Sequence, residues 1–106
     1  MPKYLVTGSY TVDGLKGVLK EGGSGRRKAV ESAVNAMGGQ LEAYYFAFGD
    51  NDVVSIVDVP DNVTATALSM GIAATGTVRT RTTVLLTPEE VDEATKKTLS
   101  FRAAGQ

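Results

Sequence analysis

Strand-like and helix-like spacings of hydrophobic residues succeed one another along this chain. Lys3 to Tyr10 (KYLVTGSY) is rich in β-branched and aromatic residues and reads as a first strand. Thr11 or Asp13 can cap a helix in which Leu15, Val18 and Leu19 fall at helical spacing. Three glycines in Gly22-Gly23-Ser24-Gly25 make continuation of that helix costly. Arg26 restarts it, with Ala29, Val30, Ala33, Val34 and Met37 as an apolar stripe, and Gly38-Gly39 ends it. Leu41 to Phe48 is predicted as a second strand. Strict alternation puts Leu41, Ala43, Tyr45 and Ala47 on one face and Glu42, Tyr44, Phe46 and Phe48 on the other. Val53 to Val59 is a third, strongly apolar strand. Pro60-Asp61-Asn62 stops it, and Asp61 is placed to cap a helix that buries Ala65, Leu68, Ile72 and Ala73 and closes at Gly76. Val78 to Leu86 is a fourth strand, with Arg79, Arg81, Thr83 and Leu85 on one side. Thr87-Pro88-Glu89-Glu90 starts a last helix: an N-cap threonine, proline at N1 and glutamate at N3.

The order β-α-β-β-α-β plus a C-terminal helix predicts an α+β fold. Its core is a ferredoxin-like antiparallel sheet with both crossover helices on one face and the first and third strands central. Residues 1–106 form one domain, with a core over about 3–86 and a C-terminal helix over about 88–100. The hairpin Gln40–Pro60 is apolar on both faces, whereas an antiparallel sheet with one wet face shows cleaner alternation. One face is left for something other than the two helices. A second copy would close a dimeric α+β barrel; the competing arrangement folds the C-terminal helix over that face, although about ten residues are short cover for four strands.

Composition narrows the chemistry mainly by exclusion. Eleven basic against twelve acidic residues give a net charge of −1, which offers no excess of positive charge to a nucleic-acid backbone or an anionic membrane. Cysteine and histidine are absent. Disulfides, thiolate or imidazole metal sites, histidine-ligated haem and the commonest general base are thereby excluded, and no metal or cofactor is expected. No apolar run approaches a membrane span, and Met1-Pro2-Lys3-Tyr4 leads straight into strand-like sequence, so a cytoplasmic protein is expected.

The residues that could carry function are few. At the corner Gly49-Asp50-Asn51-Asp52, glycine and asparagine read as turn residues supplying left-handed angles. Asp52 and Asp58 share a strand side with Val54 and Ile56, and carboxylates there need a partner. Arg79 and Arg81 share a face of an edge strand. They could pair with Asp52 or Asp58, grip an anionic ligand, or simply blunt the edge against aggregation. Tyr44 and Tyr45 are core or interface aromatics, either of which could lend a hydroxyl to an enclosed ligand. Gly22 to Lys28 superficially resembles an anion cradle but matches no phosphate-loop pattern, and reads as a helix break.

Several of these features together resemble the GYD-domain family. They are Thr11-Val12-Asp13-Gly14 after the first strand, Arg26, Gly38-Gly39 before Tyr44-Tyr45-Phe46, the Gly49–Asp52 corner followed by VVSIV, Pro60-Asp61, and Gly76 with Val78-Arg79-Thr80 and Thr82. The likeness runs from about Tyr4 to Leu86. In the family's Gly-x-Tyr-Asp pattern, Gly49 and Asp52 match and Asn51 stands at the tyrosine position. The resemblance implies the ferredoxin-like fold and a dimeric barrel, and implies no particular activity. The expectation is therefore a homodimer or larger homo-oligomer that serves as a binding or assembly domain, with a small-molecule pocket between sheets. The alternative is a cofactor-independent monooxygenase- or isomerase-like enzyme acting on a small aromatic or quinone-like substrate, with Asp52 or Asp58 as base. Candidate ligand-binding residues are Tyr44, Tyr45, Asp52, Asp58, Arg79 and Arg81.

Overall fold

The computed structural model describes all of Met1–Gln106. Its elements are β1 (Lys3–Tyr10), α1 (Val12–Ala36), β2 (Gln40–Phe46), β3 (Val53–Asp58), α2 (Asn62–Ala73), β4 (Val78–Leu85) and α3 (Pro88–Thr95). The strands form one antiparallel sheet in the order β2-β3-β1-β4. This is the α+β, ferredoxin-like arrangement that the element order predicts, with β1 and β3 central.

Register decides which residues meet. Tyr4, Val6 and Gly8 of β1 lie opposite Val57, Ser55 and Val53 of β3, on the face that α1 and α2 cover. Tyr4, Val34, Val57, Val59, Ala65 and Leu68 form the buried centre beneath those helices. Each large side chain removed from water there contributes about 1.5–3 kcal/mol. The two polar groups taken inside are satisfied: the Tyr4 hydroxyl bonds Asn62 Oδ1, and Ser55 Oγ donates to the Val6 carbonyl at 2.9 Å.

The caps follow the sequence signals. Thr11 Oγ1 accepts from the Gly14 N–H at 3.2 Å, Asp61 Oδ1 accepts from the Thr64 N–H at 2.8 Å, and Thr87 with Glu90 closes a capping box. The break in α1 falls at Gly22, whose φ of 78° and ψ of 168° lie in a region that essentially only glycine occupies. The kink brings Gly23 against the Phe46 ring, where an added Cβ would come within 2.9 Å of a ring carbon. Only Gly22 leaves the helical region, so α1 resumes at Gly23 and not at Arg26 as the glycine run predicts, and the bend carries the helix across the aromatic strand.

Three further features depart from the sequence reading. The pairing of β2 shifts between Leu41 and Ala43, so Leu41 faces Val57 while Ala43 faces Ile56. This bulge moves Leu41 onto the helix-covered face with Tyr44 and Phe46 and leaves Ala43 and Tyr45 on the other. At the corner, the left-handed residue is Phe48 (φ 52°), not Gly49 or Asn51. Phe48 is held there as its ring stacks on Phe46, with centroids 5.8 Å apart. The last helix ends at Thr95, and none of its residues is buried. The chain after β4 projects from the body: the radius of gyration is 17.0 Å, where about 13 Å suits a compact chain of this length. The arm therefore leaves the second sheet face uncovered.

Candidate functional site

The uncovered face carries the alternate residues of each strand. From β1 come Lys3, Leu5, Thr7 and Ser9; from β3, Val54, Ile56 and Asp58; from β4, Arg79, Arg81, Thr83 and Leu85; from β2, Ala43 and Tyr45. Its centre is apolar, and its two ends are charged in different ways.

At one end Lys3 Nζ donates to Glu42 at 2.6 Å and to Asp58 at 2.9 Å. Glu42 first, and Asp58 next, hold the Lys3 ammonium above its ordinary value. Asp58 is therefore engaged by lysine and makes no ion pair with an arginine.

At the other end lie Arg79 and Arg81. Cross-strand pairing sets Ser9 opposite Arg79 and Thr7 opposite Arg81. These four residues, with Asp50, Asn51 and Thr80, line a cleft of about 660 Å³ that has no hydrophobic residue in its wall. Neither arginine belongs to any of the protein's three ion pairs, so the anticipated pairing with Asp52 or Asp58 is not formed.

Asp52 performs a backbone task beside this cleft. Its Oδ2 accepts the Tyr10 N–H at 2.8 Å, its own N–H donates to the Gly8 carbonyl at 2.8 Å, and its carbonyl accepts from Ala47 at 2.9 Å. The even-numbered amides of β1 point toward β3, which has already turned into the corner at Tyr10. The Asn51 carbonyl is taken by the Gly49 N–H at 3.1 Å, so the Asp52 carboxylate supplies the acceptor the ladder lacks.

The two tyrosines separate across the pleat. Tyr45 is 70 % exposed on the open face. Tyr44 lies on the helix side with Tyr10, Arg26 and Val30 around a cavity of about 50 Å³, room for little more than water. Burial, and then the neighbouring Tyr10 phenol, push the Tyr44 hydroxyl above the ordinary phenol range. Burial also works against the Arg26 charge, and Glu21, bonded to it at 3.1 Å, outweighs that and holds the guanidinium above its ordinary value.

The six candidate residues thus occupy five places: Arg79 and Arg81 at the cleft, Asp52 on the β1 backbone, Asp58 at the lysine end, Tyr44 on the helix side and Tyr45 on the open face. Thr7 and Ser9 were not among the sequence candidates, although the alternation of KYLVTGSY already puts them on one face with Lys3 and Leu5. No cluster of three or more metal-ligating side chains is present, and no helix is long and apolar enough to cross a membrane.

No curated protein and no solved structure matches the sequence. The family model of the GYD domain matches residues 4–95, from the first strand through the last helix, and the chain belongs to that family.

Proposed function

We propose that this protein is a self-associating binding domain, two copies of which pair their open sheet faces. The observation that carries this is the uncovered apolar centre: Leu5, Val54, Ile56 and Leu85 lie side by side, flanked by the exposed ring of Tyr45. Contiguous apolar surface of this kind marks an interaction site on a soluble domain. A four-stranded face is small, roughly 400 Å² at about 4.8 Å between strands and 3.3 Å per residue. A standard interface buries about 800 Å² per partner. The projecting arm supplies further apolar surface, with Leu99 81 % and Phe101 77 % exposed, and a paired copy is the partner that would receive both.

Binding is favoured over turnover because both carboxylates needed as a base are engaged, Asp52 by the Tyr10 amide and Asp58 by Lys3. The cleft at Arg79 and Arg81 opens on the same face and would lie at the rim of the enclosed space. Sedimentation velocity over a micromolar concentration series tests the pairing. The expected result is a dimer or larger species that dissociates when Leu5 and Ile56 are both changed to threonine. A wild-type protein that sediments as a monomer throughout would end the proposal.

A further inference from the structure

The arginine end of the open face has the composition of an anion site, and its residues all come from one protomer. Arg79 and Arg81 are held two residues apart on a paired strand, so their Cα atoms are separated by roughly 6.7 Å. Each faces a hydroxyl across the β1–β4 ladder, Ser9 for Arg79 and Thr7 for Arg81. The result is a two-by-two array of donors, guanidinium and hydroxyl alternating with the strands. The Asn51 amide adds a further donor from the corner. The single opposing charge in the lining is Asp50.

The other cations on ordered elements are accounted for differently. Lys3 and Arg26 each hold a carboxylate. Lys16, Lys20, Arg27 and Lys28 lie on the exposed surface of α1. Arg79 and Arg81 alone combine three properties: no carboxylate partner, a rigid strand beneath them, and hydroxyl neighbours turned to the same face. Planar guanidinium groups donate in a fork that matches carboxylate and phosphate oxygens, and a strand-mounted pair loses less freedom on binding than loop side chains do. An edge strand blunted against aggregation needs charge but has no use for matched hydroxyls.

We infer that the cleft between β1, β4 and the Asp50-Asn51 corner binds a small, multiply charged oxyanion, a phosphoryl or carboxylate group gripped by Arg79 and Arg81 and completed by Ser9 and Thr7. This rests on the binding half of the proposal above and not on self-association, because one protomer supplies every donor. The cleft volume of about 660 Å³ leaves room for a substituent beyond the anionic head.

Calorimetric titration with inorganic phosphate and, separately, with succinate tests the inference, using chloride at matched ionic strength as the control. The expected result is saturable binding of at least one probe and none of chloride. Phosphate alone identifies a phosphoryl site; succinate alone identifies a dicarboxylate site with one carboxylate per arginine. Arg79→Gln and Arg81→Gln should each weaken binding at least ten-fold, and Thr7→Val about five-fold, with each variant's fold checked by circular dichroism. Asp50→Asn should tighten binding about two-fold by removing the opposing charge. If an arginine variant fails to fold, Arg79→Lys and Arg81→Lys keep the charge while removing the fork, and should still weaken binding.

Absence of saturable binding by both probes, or binding unchanged in both arginine variants, overturns the inference. The Leu5→Thr, Ile56→Thr protein separates the two proposals. Retained anion binding by a dissociated protein supports the single-protomer site. Loss of binding together with dissociation overturns that site and leaves self-association standing.

Discussion

Replacing Asp52 by alanine is expected to destabilise the fold, because the Asp52 carboxylate is an acceptor built into the end of the sheet. It takes the Tyr10 N–H at 2.8 Å, where the usual ladder partner is missing because the Asn51 carbonyl closes the corner on Gly49. Removing it orphans a part-buried amide and deletes a hydrogen bond to a charged group. Such losses cost about 1.5–3 kcal/mol when the site is closed to water. Asp52 is only partly buried, so water can replace some of the bond and the expected cost is about 1–2 kcal/mol. For a domain of this size that lowers the melting midpoint by roughly 5–15 °C. Asp52→Asn keeps an amide oxygen of the same reach and should lose only about 0.5 kcal/mol. Thermal melts of both variants give the comparison, and amide hydrogen exchange at Tyr10 localises it: that proton should exchange quickly in the alanine protein and remain protected in the asparagine protein. A neutral alanine variant would refute the structural role. An asparagine variant as damaged as the alanine one would show that the charge matters rather than the acceptor.

Gly22→Ala should cost about 1–3 kcal/mol by chemical denaturation, because its backbone angles are open essentially only to glycine although no atom lies within 4 Å of the added Cβ. Gly17→Ala, also in open space but helical, should instead stabilise by up to about 1 kcal/mol; equal effects at the two sites would remove the kink from the explanation. The Asp61 carboxylate is held below its ordinary 3.8 by the Thr64 N–H and then by the Thr64 hydroxyl. A folded-state value below the unfolded one means the stabilisation is complete above the ordinary value and is lost as pH falls through the lower folded one. Asp61→Ala should therefore melt below the wild type at neutral pH and converge with it in acid, and a constant gap down to the lowest pH would contradict this. Truncation after Thr87 removes a helix none of whose residues is buried, so it should leave the melting midpoint of dilute protein unchanged while weakening self-association in sedimentation. A lowered midpoint in dilute solution would mean that the arm packs on its own body.

The elements were legible in the sequence because their signals are local. Asp61, Thr87-Pro88 and Gly22 each act on the few residues beside them, and their caps and kink sit where the residues place them. The bulge in β2 was not legible. Leu41, Glu42 and Ala43 alternate as an ordinary strand does, and only pairing with Val57 and Ile56 shows that one residue is extra. Phe48 escaped for a related reason. Propensity assigns the left-handed position to Gly49 or Asn51, and the stack of Phe48 on Phe46 overrides it. The candidate site was half legible. Strand period put Arg79 beside Arg81, but which carboxylates they meet depends on register at the sheet ends, where Lys3 claims Asp58 and Tyr10 claims Asp52.

The corner that carries the family pattern separates a residue that holds the turn by its side chain from one whose side chain only lines the cleft. Asp52 at the end of Gly-x-Tyr-Asp ties β1 to the turn through its carboxylate, its amide and its carbonyl. Asn51, at the tyrosine position, contributes only its carbonyl to the turn, and its side chain makes no hydrogen bond within the protein while lining the cleft of Arg79 and Arg81. A main-chain contribution is available to any residue with the same backbone angles, so exchanging tyrosine for asparagine leaves the turn's bonds intact. What the exchange alters is the cleft wall, where a compact amide that both donates and accepts replaces a large ring carrying one hydroxyl. The departure from the family pattern therefore changes the shape and chemistry of the cleft wall rather than how the chain folds. It leaves more room beside two arginines that have no carboxylate of their own.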